Sequence, residues 1–256
     1  MSKTFAAVLP ALLAVAAFAC TDVSGSSTSV LSIQFDSLGV PSVVVGDTLR
    51  DTTGAVILPV VHAFNFKGEE ITPAPVWFQS PDSGVAVDSA TGIIVGDSLR
   101  STPVRIVATV GTLQAIQRVD LTLRPDFIIA LEGRDTLSYS LLDTTRNVSS
   151  DLTVTLTHGV TPADSVVKSY IVSFTIISQS NPGLGELVNN QSGGKPSVVD
   201  TTGTNGVAGR GIRLHPLFLT SGTTVDSIIV NATARYRGNP VSGSPVRLVL
   251  TVIPGS

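Results

Sequence analysis

Val104-Arg105-Ile106-Val107-Ala108-Thr109-Val110 and Arg118-Val119-Asp120-Leu121-Thr122-Leu123-Arg124 decide the fold class. In the first stretch Ile106, Ala108 and Val110 alternate with Arg105 and Thr109. In the second Val119, Leu121 and Leu123 alternate with Asp120, Thr122 and Arg124. Successive side chains of a strand point to opposite faces, so a period of two marks a segment with one buried and one wet face. The same alternation returns where Val154 and Leu156 interleave with Thr153, Thr155 and Thr157, and where Leu248, Leu250 and Val252 interleave with Arg247 and Thr251. Gly, Pro, Asp and Asn punctuate the chain roughly every 8–12 residues, the spacing of an antiparallel sandwich. No segment carries a convincing helical period.

Composition narrows the class further. Charged residues make up 14% of the 256, against about 25% in an ordinary globular chain, and the mean hydropathy is +0.38. A disordered chain needs the opposite balance. The net charge of −3 and the single, scattered Lys and Arg residues speak against nucleic acid as a partner. Cys20 is the sole cysteine, so no intramolecular disulfide forms and the fold must stand on its β core. Sequons at Asn147, Asn190 and Asn231 are what a Ser/Thr-rich chain produces by chance.

The N-terminus predicts export. Lys3 gives a minimal positive start, and Phe5 to Ala19 is an uncharged apolar run of 15 residues. A membrane-spanning helix needs about 20, and Pro10 breaks a long helix, so residues 1–19 read as a cleaved signal peptide. Its end, Ala17-Phe18-Ala19-Cys20, has two readings. As Ala-x-Ala it is an ordinary signal-peptidase site between Ala19 and Cys20. It also resembles the bacterial lipoprotein signal, in which the cysteine becomes the lipidated first residue. The resemblance departs from the usual pattern, since Ala17 stands where Leu is customary and Phe18 where a small residue is. The placement of the only cysteine, and the polar segment Thr21 to Ser29 after it, favour lipidation at Cys20. Nine extended residues span at most about 30 Å, so residues 20–29 read as a flexible tether. Both readings cut the same bond.

Beyond the tether the texture changes at Arg124-Pro125, because proline lacks the donor that a continuing strand needs. This predicts one domain over 30–124 and a second over 125–256. In the first, Val76-Trp77-Phe78-Gln79-Ser80-Pro81-Asp82, Val85-Ala86-Val87-Asp88, Gly92-Ile93-Ile94-Val95-Gly96 and Val104 to Thr109, with Gly46-Asp47-Thr48-Leu49 before them, resemble the bacterial Ig-like group 2 domain. In the second, Asp151 to Thr157, Val172 to Ile176, Asp200-Thr201-Thr202-Gly203-Thr204-Asn205-Gly206-Val207-Ala208 and Ile229 to Thr233 more weakly resemble the invasin-type group 1 domain. The resemblance implies an all-β chain of two tandem immunoglobulin-like sandwiches, with Trp77 filling the centre of the first.

A search for chemistry returns little. His62, His158 and His215 are far apart, without partners at ligand spacing, and read as solvated or hydrogen-bonded side chains. No H-E-x-x-H, P-loop, G-x-S-x-G or cysteine pair occurs. Asp82-Ser83-Gly84 matches the triplet of aspartic proteases in form, but those enzymes need two carboxylates sharing a proton. Asp51-Thr-Thr-Gly54, Asp143-Thr-Thr-Arg146 and Asp200-Thr-Thr-Gly203 do not supply the second, so Asp82 reads as a turn residue. No repeat spacing supports calcium. The expectation is no catalytic residue, no cofactor and no metal site. Trp77 reads as core rather than as a sugar-stacking residue, and the Gly/Asn/Ser-rich stretch 179–206 as the functional loop, with disorder as its alternative.

Together these features predict a non-catalytic cell-envelope protein: an adhesion, binding or spacer module at the outer membrane or cell surface. Its partners would be the membrane, through the lipid, and an unknown envelope protein or glycan. The alternatives are a secreted or periplasmic protein, a carbohydrate-binding accessory or enzyme with a loop-borne site, and a structural subunit of an envelope assembly.

Overall fold

The computed structural model describes residues 29–143, 145, 147–161, 165–215 and 226–255. The signal segment, the cleavage bond after Ala19, and Cys20 lie outside the described residues. Strands, turns and irregular segments make up the described chain, apart from 3-10 conformation at Thr145 and at Asn190–Ser192.

The first half contains β1 (Ser32–Phe35), β2 (Ser42–Val44), β3 (Val61–Phe64), β4 (Trp77–Gln79), β5 (Val85–Val87), β6 (Ile94–Gly96), β7 (Val104–Val110) and β8 (Leu113–Thr122). Its main sheet runs β2-β8-β7-β4, and the ribbons β1-β3 and β5-β6 complete it. The alternation in β7 and β8 does what its period requires. Val104, Ile106, Ala108, Val119 and Leu121 are buried and pack with Leu49, Ile94 and Phe78 in one core.

The second half contains β9 (Phe127–Glu132), β10 (Arg134–Tyr139), β11 (Leu152–His158), β12 (Ser165–Val166), β13 (Ile171–Ser178), β14 (Gly185–Asn189), β15 (Lys195–Pro196), β16 (Val199–Thr201), β17 (Val207–Leu214), β18 (Asp226–Thr233), β19 (Arg235–Tyr236), β20 (Asn239–Pro240) and β21 (Val246–Pro254). One sheet runs β10-β21-β18-β13-β16, and the other β12-β11-β17-β14-β15 with β9 also on β11. A separate core built on Phe174, Leu156, Ile212, Ile228 and Leu250 fills the space between them. In each half an early strand runs parallel to the last one: β2 along β8, and β10 along β21.

Two expectations are overturned. Trp77 is not core: it is 63% exposed, and its neighbour Phe78 is buried. The cause is register. Phe78 lies opposite Ala108, on the inward face of β7, while Trp77 lies opposite Thr109 on the outward face. Phe78 then meets Phe35 edge to face at 6.3 Å between ring centroids. The stretch 179–206 is not an irregular loop either. It carries β14, the 3-10 turn, β15 and β16, and Pro196 to Val199 pass the chain from one sheet of the second half to the other.

Candidate functional site

The most constructed polar site is the joint between the two halves. Four residues connect β8 to β9, and they are tied down from both sides. Thr122 Oγ1 donates to the Lys168 carbonyl at 2.6 Å. Leu123 packs on the second core. Arg124 pairs with Asp126 at 2.6 Å, and Asp126 also lies 2.7 Å from His158.

Two loops of the second half reach back over the first. Lys168 Nζ donates to the Arg100 carbonyl at 2.9 Å. The Ser169 carbonyl accepts from Ser42 Oγ at 2.5 Å, and Ser169 Oγ donates to Asp120 at 2.7 Å. Buried Thr202 holds this loop, accepting from Tyr170 N–H and donating to the Val167 carbonyl. The second loop is the hairpin β19-β20. Its two-residue tip, Arg237-Gly238, has positive φ at both positions, 50° and 79°, which is the type I′ geometry of a tight hairpin. Gly238 is pressed against the Thr53 carbonyl, and a Cβ on Gly54 would sit 2.6 Å from the Arg237 backbone. Neither glycine tolerates a side chain.

Asp47 is the centre of this contact. Its carboxylate accepts from Arg237 Nε at 2.7 Å, from Arg50 Nε at 3.2 Å and from Thr48 N–H at 2.8 Å. Its side chain is 3% exposed. Burial pushes the carboxyl up, but the bonds from Arg237, Tyr236, Thr48 and Arg50 outweigh it and hold Asp47 well below the ordinary carboxylate range. Burial, with the neighbouring Tyr236 and Asp47, pushes the Tyr170 phenol up; it donates to the Arg235 carbonyl at 2.7 Å. Sequence reasoning placed Asp47 only in an early-strand motif. Its partner lies 190 residues away, and no local signal links them. The non-glycine residues with positive φ among those described are Ser169 and Arg237, and both are in the joint. Such residues are uncommon and persist where surroundings fix them.

The residues singled out for chemistry do not converge. Asp82 is gripped by Arg105, through Nε at 3.0 Å, Nη2 at 2.9 Å and the backbone N–H at 2.8 Å. That grip holds its carboxyl well below the usual range. His62 Nδ1 lies 2.7 Å from Glu70, and Nε2 lies 3.2 Å from Asp36. The Glu70 and Asp36 hydrogen bonds raise its pKa. His215 stands 4.0 Å from Glu186. Among the described residues no group of three or more His, Cys, Asp or Glu is placed to hold a metal ion. Asn147 is buried and bonded to Ser140 at both ends of its amide.

No family model and no curated protein matches the chain. Among solved structures, it is similar to domains 5-6 of the S-layer protein SbsC at 15% identity, covering 89% of this chain and 99% of that one, with a TM-score of 0.28. Domains 4 and 5 of SbsC give 11% identity, 89% and 100% coverage, and a TM-score of 0.31. The extracellular domain of protocadherin GammaB4 gives 13% identity over 88% of this chain and 34% of that one, at a TM-score of 0.31.

Proposed function

We propose that the chain is a non-catalytic cell-envelope protein. In it two Ig-like domains, residues 30–124 and 125–256, form a stiff spacer or adhesion module exported by residues 1–19, tethered by 20–29 and lipid-anchored at Cys20. The carrying observation is the joint. A flexible linker leaves domains free to move, and a buried carboxylate, two interlocked glycines and three loop-to-sheet hydrogen bonds across the joint support a restricted angle instead. Such a joint suits a part that transmits a fixed orientation from the membrane outward. The non-catalytic reading is supported by Asp82, whose carboxylate is committed to Arg105, and by histidines that each answer to separate carboxylates.

Small-angle scattering on the chain without residues 1–19 tests stiffness. The wild type should give one narrow distribution of dimensions, and Arg237→Asn a broader one. A wild type as broad as the variant overturns the spacer reading. Membrane partition of Cys20→Ser tests the anchor, which fails if partition is unchanged.

A further inference from the structure

The parallel pairs in the two halves differ in length. β2 runs along β8 in three residue pairs, Ser42 with Asp120, Val43 with Leu121 and Val44 with Thr122. β10 runs along β21 in six, from Arg134 with Val249 to Tyr139 with Pro254. Bonds from Val249 N–H to the Gly133 carbonyl and from Gly255 N–H to the Tyr139 carbonyl extend that ladder. The chain enters β2 at Ser42 and leaves β8 at Thr122, at opposite ends of the pair. Drawing the ends of the half apart therefore slides the two strands along each other, and every bond between them is loaded at once. Pulled apart from one end, the same strands would lose their bonds singly. The shorter pair is the one that the joint covers. Ser169 binds both of its strands: its carbonyl accepts from Ser42 Oγ on β2, and its hydroxyl donates to Asp120 on β8. Two pairs further along, Thr122 Oγ1 donates to the Lys168 carbonyl.

We propose that the chain bears tension along its length, and that the Lys168-Ser169 turn of the second half is a staple on the load-bearing pair of the first. Three pairs sheared alone give way sooner than six, so the first half without help is the weak point. The staple ties β2 and β8 to one turn. Sliding either strand past the other then breaks a bond to Ser169 as well as the ladder itself. Ser42 and Thr122 are buried, so water does not readily replace the bonds they make. Ser169 holds its place at a φ of 53°, a conformation that persists only where the surroundings fix it. The inference rests on the spacer reading for the existence of a load, but its test applies the load directly.

Constant-force optical trapping of residues 20–256, carrying Cys20→Ser and a handle at each end, decides the matter, since forced unfolding reads the unfolding rate. The halves are told apart by length, because residues 30–124 release less chain than 125–256. In Ser42→Ala and in Thr122→Val, residues 30–124 should come out first. They should do so about tenfold sooner than from wild type at the same force, as one net hydrogen bond lost from the loaded pair requires. Thr91→Val removes a comparable hydroxyl bond from the Asp88 turn, outside that pair, and should release as wild type. A second attachment, through Ser37→Cys and Arg118→Cys, both exposed, peels β2 from β8 at the Ser42 end. The first half should then unfold about tenfold faster or more at the same force, because its bonds fail one at a time. Equal rates in the two geometries overturn the load-bearing pair. Release from Ser42→Ala and Thr122→Val no sooner than from wild type overturns the staple, as does equal acceleration by Thr91→Val. A staple that fails while wild-type scattering stays narrow leaves the stiff spacer standing, so the two readings fall separately.

Discussion

The two halves share a plan but are held together differently. The second closes two sheets over a core led by fully buried Phe174, with strands of seven to nine residues in β11, β13, β17, β18 and β21. The first has one four-stranded sheet and two ribbons, and β1 to β6 are only three or four residues long. Short strands bury little and leave much of the chain in turns, so turn chemistry carries more of the order there. Asp51 accepts from Thr53 and Ala55, Asn65 from Lys67 and Glu69, and Asp88 from Ala90 and Thr91. The difference teaches that the second half rests on burial, while the first also leans on its neighbour through the joint.

The largest effect should come from the burial side. Phe174→Ala removes the largest fully buried side chain and should cost about 3–5 kcal/mol. Phe78→Ala should cost less, because Phe78 keeps slight exposure and packs in a smaller cluster. Urea unfolding of both variants measures this, and an equal loss would break the contrast.

Next comes the clamp. Arg237→Asn preserves a residue suited to the I′ tip while removing one charged hydrogen bond from a buried carboxylate, at about 1–3 kcal/mol. Hydrogen exchange should rise in β7 and stay level in β18. Acid should imitate the variant, since the Asp47 pKa is lowered from 3.8. A depressed carboxyl contributes stability above its unfolded value and loses it as pH falls through the folded one. In Arg237→Asn that loss on acidification should shrink. Uniform exchange changes across both halves would deny the first half its special dependence.

Much of this was legible in the residues. The alternation in 104–110, 118–124, 153–157 and 247–252 carries burial directly, because period two is a property of the strand itself. Trp77 was misread because the resemblance to a sandwich with a Trp-bearing strand suggested a core position, whereas pairing with Thr109 set its face; a strand of three residues is too short for its own pattern to fix register. The strands within 179–206 escaped because β15 and β16 are two and three residues long and β14 opens on glycine. Asp47 was invisible as a clamp, since its meaning depends on a hairpin tip at the other end of the chain.

A smaller effect separates strain from bonding in the joint. Ser169 holds φ at 53° while its hydroxyl bonds Asp120. Ser169→Ala loses the hydroxyl and keeps the strained backbone; Ser169→Gly loses the hydroxyl and relieves the strain. Glycine should therefore be more stable than alanine here by about 1 kcal/mol, despite the reverse preference elsewhere. Thermal melts of the pair show it, and alanine the more stable would mean that the joint imposes no strain at this point.

The smallest effect lies on the β1-β3 ribbon. His62 pairs across to Glu70 and Asp36, and the Glu70 bond, followed by the Asp36 bond, raises its pKa above 6.5. A raised histidine stabilises fully below its unfolded value and loses that contribution as pH climbs through the folded one. The side chain is a third exposed, so solvent screening keeps the effect local. Titration of His62 by NMR should give a midpoint above 6.5 that falls toward 6.5 in Glu70→Gln. Exchange in β1 and β3, corrected for its intrinsic pH dependence, should rise across the same interval while β18 stays unchanged. A midpoint at or below 6.5 would remove the pairing as a support of the first half, leaving its turns and the Asp47 clamp to hold what its short strands do not.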